Sequence, residues 1–248
     1  MNTDLDQINS SKKDGRRNFI YTSVLGFVGV LFFLPFALKI IPAKVLLKHS
    51  INTIIVVSIV QSLIFILILA AIGATLAQRI GFRTIYDEIT STRKDLWIIL
   101  KRQLIYGVPI GMIGALVAYL TAPDFIAYLK SFPHLTRLFG GLYEEIIMRW
   151  GIMTLIVWII WRTIQKGKGS PKKLLVWSGI ILSQILFASG HIFNLIKFGI
   201  ANPLWSVVTI FIVSFPWGWL YWKQGIESAI IAHVSFHAFV ILLVVINL

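Results

Sequence analysis

Gly141-Leu-Tyr-Glu-Glu-Ile-Ile-Met-Arg-Trp150 is the stretch on which the fold turns. It lies within an apolar run, roughly 138–161, long enough to cross a bilayer core, which takes ~20 apolar residues. Yet Glu144, Glu145 and Arg149 place three ionisable groups inside it. Even on the lenient insertion scale, each charge at the centre of a span costs ~2.5–3.5 kcal/mol. A membrane helix keeps such groups when they pair with one another, face a wet cavity or do chemistry. At ~100° per residue Glu145 and Arg149 form an i, i+4 pair, while Glu144 points about 100° away. A structural ion pair accounts for Glu145 and Arg149 and leaves Glu144 unexplained. A second carboxylate in a span needs a metal, a histidine or a raised pKa.

The surrounding chain supports a membrane setting. Of its 248 residues 57% are hydrophobic, against ~45–50% in a soluble domain. The charged residues, 13% of the total, cluster between apolar runs. Seven runs qualify as spans, at roughly 19–38, 52–77, 103–122, 138–161, 174–195, 204–222 and 227–247. The predicted fold class is all-α: a polytopic membrane helical bundle of about seven transmembrane helices, forming one domain over 1–248. Between the second and third runs, Ile85, Tyr86, Ile89, Leu96, Trp97 and Leu100 recur at helical spacing, which predicts an interfacial amphipathic helix within 78–102. Gly167, Gly169 and Pro171 mark a short loop. The run from Phe19 to Leu38 exceeds the ~7–15 residues of a signal-peptide core, so it reads as an uncleaved first span.

Net charge is +13 and cysteine is absent. Disulfides and thiolate metal sites are thereby excluded. The basic residues fall in short connections, sixteen on one alternating set that begins with the N-terminal tail and six on the other. This bias places the N-terminus in the cytoplasm of a cell membrane, and the short basic loops and uncleaved first span fit a bacterial plasma membrane. It also predicts contact with anionic lipids. No basic stripe with interleaved aromatics marks a nucleic-acid partner.

Polar residues interrupt two further runs. Phe187-Ala-Ser-Gly-His191 puts His191 near the end of the fifth, and His233-Val-Ser-Phe-His237 puts two histidines on one face of the last. A lone histidine in a span commonly bonds a neighbouring helix. HxxxH alone arises readily by chance, although it is the spacing by which one helix offers two nitrogens to a metal. Val234 follows His233, so a glutamate base must come from another helix, and Glu144 is available. A carboxylate beside histidines from two other helices is the composition of a site that activates water. Ser189 and Ser235 lie near histidines, which makes serine chemistry a weaker alternative. No phosphate-binding loop, dinucleotide fingerprint or Gly-x-Ser-x-Gly appears.

These segments resemble the CPBP family of intramembrane proteases, also called the CAAX protease and bacteriocin-processing, or Abi, family. Its pattern is Glu-Glu-x-x-x-Arg, then Phe-x-x-x-His, then His-x-x-x-Asn. Here these are Glu144, Glu145 and Arg149; Phe187 and His191; and His233 with His237 in place of the final Asn. The resemblance covers the core at roughly 138–240. It implies a membrane endopeptidase in which Glu144 activates water, His191 and His233 complete the catalytic set, and Arg149 positions or neutralises Glu145. His237 would donate to an oxyanion, titrate or bind a metal. The family's members are named metalloproteases, so zinc held by His191, His233 and His237 is implied beside a metal-free glutamate–histidine mechanism. The implied substrate is a membrane-associated peptide or lipidated protein. A non-catalytic bacteriocin-immunity or regulatory protein is the alternative, and a metal or proton transporter a more distant one.

Overall fold

The computed structural model describes the backbone of residues 2–39, 41 and 43–246, and the side chains of these except residues 2–13, 33, 36–39, 43, 44 and 139. The chain forms α1 (Asn2–Lys39), α2 (Ala43–Leu46), α3 (Ile51–Leu76), a 3-10 turn (Gln78–Ile80), α4 (Ile85–Thr92), α5 (Leu96–Thr121), α6 (Pro123–Lys130) and α7 (His134–Glu145). A π-helical segment (Ile146–Met153) joins α7 to α8 (Thr154–Ile164). Then follow α9 (Lys173–Ser189), α10 (Ile192–Lys197), α11 (Pro203–Gln224) and α12 (Ile226–Val245). No strand occurs among the described residues.

Six helices among the described residues are long and apolar enough to cross a membrane: α3, α5, the continuous His134–Ile164 rod, Lys173–Lys197, α11 and α12. The first expected span lies in α1, and part of it falls outside the described side chains. This helix packs along α3 and α7. The protein is a multi-pass helical membrane bundle. On α3, one face exposes Val56, Val57, Val60, Ile64, Phe65 and Ile68, while Leu69, Ala70, Gly73 and Ala74 turn inward. An apolar outer face without polar groups suits lipid.

Lipid tails are as apolar as leucine, so burial gives little drive for helices to associate within a membrane. Close backbone approach through small residues takes its place. The most extensive helix pair here is α5 against α12. Its α5 side is a stripe of Gly107, Gly111, Gly114, Ala115 and Ala118. A Cβ at Gly111 would collide with the Ala232 carbonyl, so only glycine permits this approach.

Within 78–102 the expected amphipathic helix is α4, shorter than the segment and partly turned inward. Leu96 to Arg102 already belongs to α5. Residues 85–92 form α4, whose Ile85, Asp87 and Glu88 are buried. Polar bonds explain the inward turn. A capping box between Thr84 and Asp87 starts the helix. Asp87 accepts from Asn18 and Gln78, and Glu227 at the start of α12 accepts from the Ile85 amide. These bonds tie the N-terminal helix, α4 and α12 together at one end of the bundle.

Candidate active site

Glu145 is fully buried where α7 passes into the π segment, and Arg149 lies one turn on. The pair meets at 3.0 Å through Glu145 Oε1. Arg149 is further held by Gln184 Oε1 at 2.9 Å and the Ser214 carbonyl at 3.2 Å, and its guanidinium lies 4.5 Å from the Phe187 ring centre. Gln184 in turn bonds the Ser214 hydroxyl. These contacts tie α9 and α11 to the glutamate pair. π-Helical segments collect at functional sites, and this one begins at Ile146, directly after the glutamates.

Glu145 has a second partner. His233 Nδ1 lies 2.9 Å from the same Oε1. A carboxylate can only accept here, so the proton sits on Nδ1 and the Nε2 lone pair turns to the cavity. The ring is fixed on both faces. Trp217 stacks on it with centroids 4.2 Å apart, and Gly141 closes on the ring, where a Cβ would stand 2.9 Å away. Glycine at 141 is what leaves room for the imidazole. Glu145 is therefore more than a local partner for Arg149: it orients His233 as well.

Glu144 turns away from this pair, as the helical spacing predicts, and lines a cavity of about 280 Å³. Its side chain keeps 26% exposure, and its Oε2 stands 3.8 Å from His233 Nε2. His233 Nε2 also meets His237 Nε2 at 3.1 Å. His191 sits at the junction of α9 and α10, with Nδ1 2.9 Å from the Phe187 carbonyl, so Nε2 remains for the cavity. Glu144, His191, His233 and His237 all line this one cavity, while Glu145 and Arg149 lie behind it. The rest of the wall is mainly aromatic and aliphatic, including Phe125, Leu129, Phe132 and Leu186. Tyr128 also lines it. Burial, then the charge of Glu144, holds its phenol above the ordinary range, so the hydroxyl stays neutral.

The expected metal set does not assemble in this arrangement. Among the described residues no group of three His, Asp or Glu side chains stands as a metal-binding cluster. His233 and His237 engage each other through Nε2, whereas the His191 bond to a backbone carbonyl leaves its Nε2 free. Two rings that share a hydrogen bond through Nε2 have one of those nitrogens protonated, whereas a ligand nitrogen must be bare.

Gly141, Gln184, Ser214 and Trp217 belong to the site's framework and have no motif to announce them. Arg137 is a further addition. The run boundaries leave it in a connection, but it lies in the first turn of α7, buried against the cavity.

Residues 132–239 match the family model described as Rce1-like, type II CAAX prenyl endopeptidase Rce1-like. No curated protein and no solved structure matches the chain. The matched segment contains both glutamates, Arg149, Phe187 and all three cavity histidines in the expected order. This segment is therefore similar to the CAAX protease family of membrane proteases, in agreement with the order of its motifs.

Proposed function

We propose that this protein hydrolyses a peptide bond of a membrane-associated peptide or prenylated protein, with Glu144 activating the attacking water. The supporting observation is the division of labour between adjacent glutamates. Arg149 and His233 both meet Glu145 Oε1, whereas Glu144 faces the cavity with no arginine or lysine in ion-pair range among the described residues. Glu144 takes a proton from water, and the oxygen attacks the carbonyl carbon. The proton on Glu144 then passes, directly or through the bare His191 Nε2, to the leaving nitrogen, and the C–N bond breaks to release an amine and a carboxylate. His237 Nε2–H, which points to the bare His233 Nε2 in the resting arrangement, turns to donate to the oxygen that becomes negative. Glu145 holds the His233 tautomer, in the manner of the carboxylate that orients a base histidine.

The apolar wall suits aliphatic side chains or a lipid-bearing segment. The basic tail, α4 and the α11–α12 turn share one end of the bundle, joined by bonds such as Arg83 to the Lys223 carbonyl. By the positive-inside rule that end is cytoplasmic. The cavity, walled by α6 and the α9–α10 junction, then lies in the opposite half of the membrane.

The test is cleavage of a prenylated peptide in proteoliposomes by the parent, Glu144→Gln and His191→Ala. We expect each variant to lose about 10²–10⁴-fold in turnover, the range for positioned acid–base groups, with thermal stability kept. Full activity in both would overturn the assignment.

A further inference from the structure

Tyr128 carries a hydroxyl on the cavity wall that the proposed steps do not use. It lies on α6, is 4% exposed, and lines the same cavity as Glu144, His191, His233 and His237. Its hydroxyl makes no hydrogen bond among the described residues, yet its oxygen is not sealed in as Glu145 Oε2 and Trp217 Nε1 are. An oxygen neither bonded nor sealed, on a residue this buried, opens on the cavity. Phenylalanine would fill the same space with no polar atom to satisfy.

The ring is held in place by its neighbours. Phe132 and Phe198 meet it edge-on at 4.8 and 5.5 Å between centroids, and Phe125 stacks on it at 6.3 Å. Phe125 in turn stacks on Phe236 of α12, whose ring meets the His237 imidazole edge-on at 5.1 Å. A continuous row of rings thus runs along the wall from Tyr128 to His237. Burial, then the charge of Glu144, keeps the phenol protonated. The hydroxyl is a fixed, neutral donor within electrostatic reach of the carboxylate assigned to the water.

The donor already assigned to the developing oxyanion is engaged at rest. His237 Nε2 meets His233 Nε2 at 3.1 Å, and that bond is given up when the N–H turns to the substrate. Tyr128 gives up no bond. Preset donors contribute most to a transition state, because they need no reorganisation as charge develops.

Building on the protease reading above, we propose that Tyr128 is a further catalytic residue, whose hydroxyl donates to the scissile carbonyl oxygen as that oxygen becomes negative. The phenolic proton stays on its own oxygen, so the proton route from water through Glu144 to the leaving nitrogen is unaltered. Tyr128 and His237 then approach one oxygen from α6 and α12, and the carbonyl carbon is left open to the water on Glu144.

Tyr128→Phe keeps the ring and removes only the donor. With a prenylated peptide in proteoliposomes, kcat is expected to fall about 10²-fold, the scale for loss of one oxyanion donor, with KM and melting temperature kept. A phosphinate peptide, whose tetrahedral anion imitates the attacked carbonyl, gives a readout without turnover. In calorimetry it should bind Tyr128→Phe at least about tenfold more weakly than the parent. The matching ethylene isostere, which lacks those oxygens and cannot be cleaved, should bind both alike. A meta-fluorotyrosine in place of Tyr128, a stronger donor in nearly the same space, should keep at least the parent kcat. Undiminished kcat in Tyr128→Phe overturns the proposal. A raised KM at unchanged kcat, equal weakening of phosphinate and isostere, or a fall in kcat with meta-fluorotyrosine overturns it too. Glu144→Gln is read alongside. Cleavage abolished there but untouched in Tyr128→Phe removes this inference and leaves the protease assignment standing, whereas full activity in Glu144→Gln takes both down.

Discussion

The α4 end of the bundle and the cavity both bury acidic residues, and they differ in how completely those acids are met. Asp87 receives Asn18 on both oxygens at 2.8 and 2.9 Å, Gln78 at 2.7 Å and the Thr84 amide at 2.9 Å. Both oxygens of Glu88 are gripped by Arg102. Glu227 Oε2 and Gln103 Oε1 near α4 lack a hydrogen-bond partner, but in the cavity half the unpartnered atoms, Glu145 Oε2, His237 Nδ1 and two nitrogens of Arg137, gather at and behind one cavity. Glu144 has His233 no closer than 3.8 Å. Acids met on both oxygens, as Asp87 and Glu88 are, lock helices together. An unsaturated cluster carries a standing cost, which persists where water or substrate supplies the missing partners.

The largest expected effect separates the two ends by chemistry. Glu145→Gln leaves the shape of the side chain but removes the charge that holds the His233 tautomer. Turnover should fall by up to about 10⁴-fold, the scale for an amide replacing the carboxylate behind a base histidine. The check is kcat with a lipidated peptide beside a thermal unfolding curve. Undiminished kcat would show that Glu145 serves only Arg149.

Next comes Gly141→Ala. The added methyl, 2.9 Å from the His233 ring, must push the imidazole from its place between Trp217 and α7. A displacement near 1 Å can cost ~10²-fold, so a fall of about ten- to a hundredfold in kcat is expected. An unchanged rate would mean that His233 needs no such fixing.

At the other end, Asp87→Ala should spare the rate and lower stability. It strips Asn18, Gln78 and the Thr84 amide of their acceptor, at ~1–3 kcal/mol for each buried group left unmet. The comparison fails if this variant loses kcat per folded molecule while its melting temperature holds.

The smallest effect is acid loosening of the same end. Burial raises the Glu88 carboxyl, but the Arg102 hydrogen bond and the charges of Arg83, Arg102 and Lys94 outweigh it and hold the group below its ordinary value of 4.5. A depressed folded pKa contributes stability above the unfolded value, lost as pH falls through the folded one. Stability should therefore be level above about pH 5 and decline below ~4.5. Glu88→Gln should flatten that decline in a pH series of melting temperatures.

Periodicity shows its strength and its limit in the same helices. Apolar length marked α3, α5, α11 and α12 as spans, because a bilayer demands an unbroken apolar surface. Spacing placed an amphipathic helix within 78–102, and α4 lies there, but a helical period does not say that Asp87 and Glu88 will find partners on α1 and α5. The 100° spacing correctly set Glu144 apart from Glu145. It did not show Glu145 reaching His233, since that contact spans 88 residues of sequence. Arg137 at the edge of a run looked like any topogenic charge until the fold buried it.

By itself the sequence determined the membrane class and six of the expected spans, and it marked the candidate site residues, because insertion energy acts residue by residue along the chain. Tertiary structure alone decided that the two glutamates divide their partners and that His233 stands between Trp217 and Gly141. It also decided that an arginine near a helix end is closed into the cavity without a counter-charge. These depend on distances between helices, which small residues such as Gly111 and Gly141 set and which no local pattern encodes.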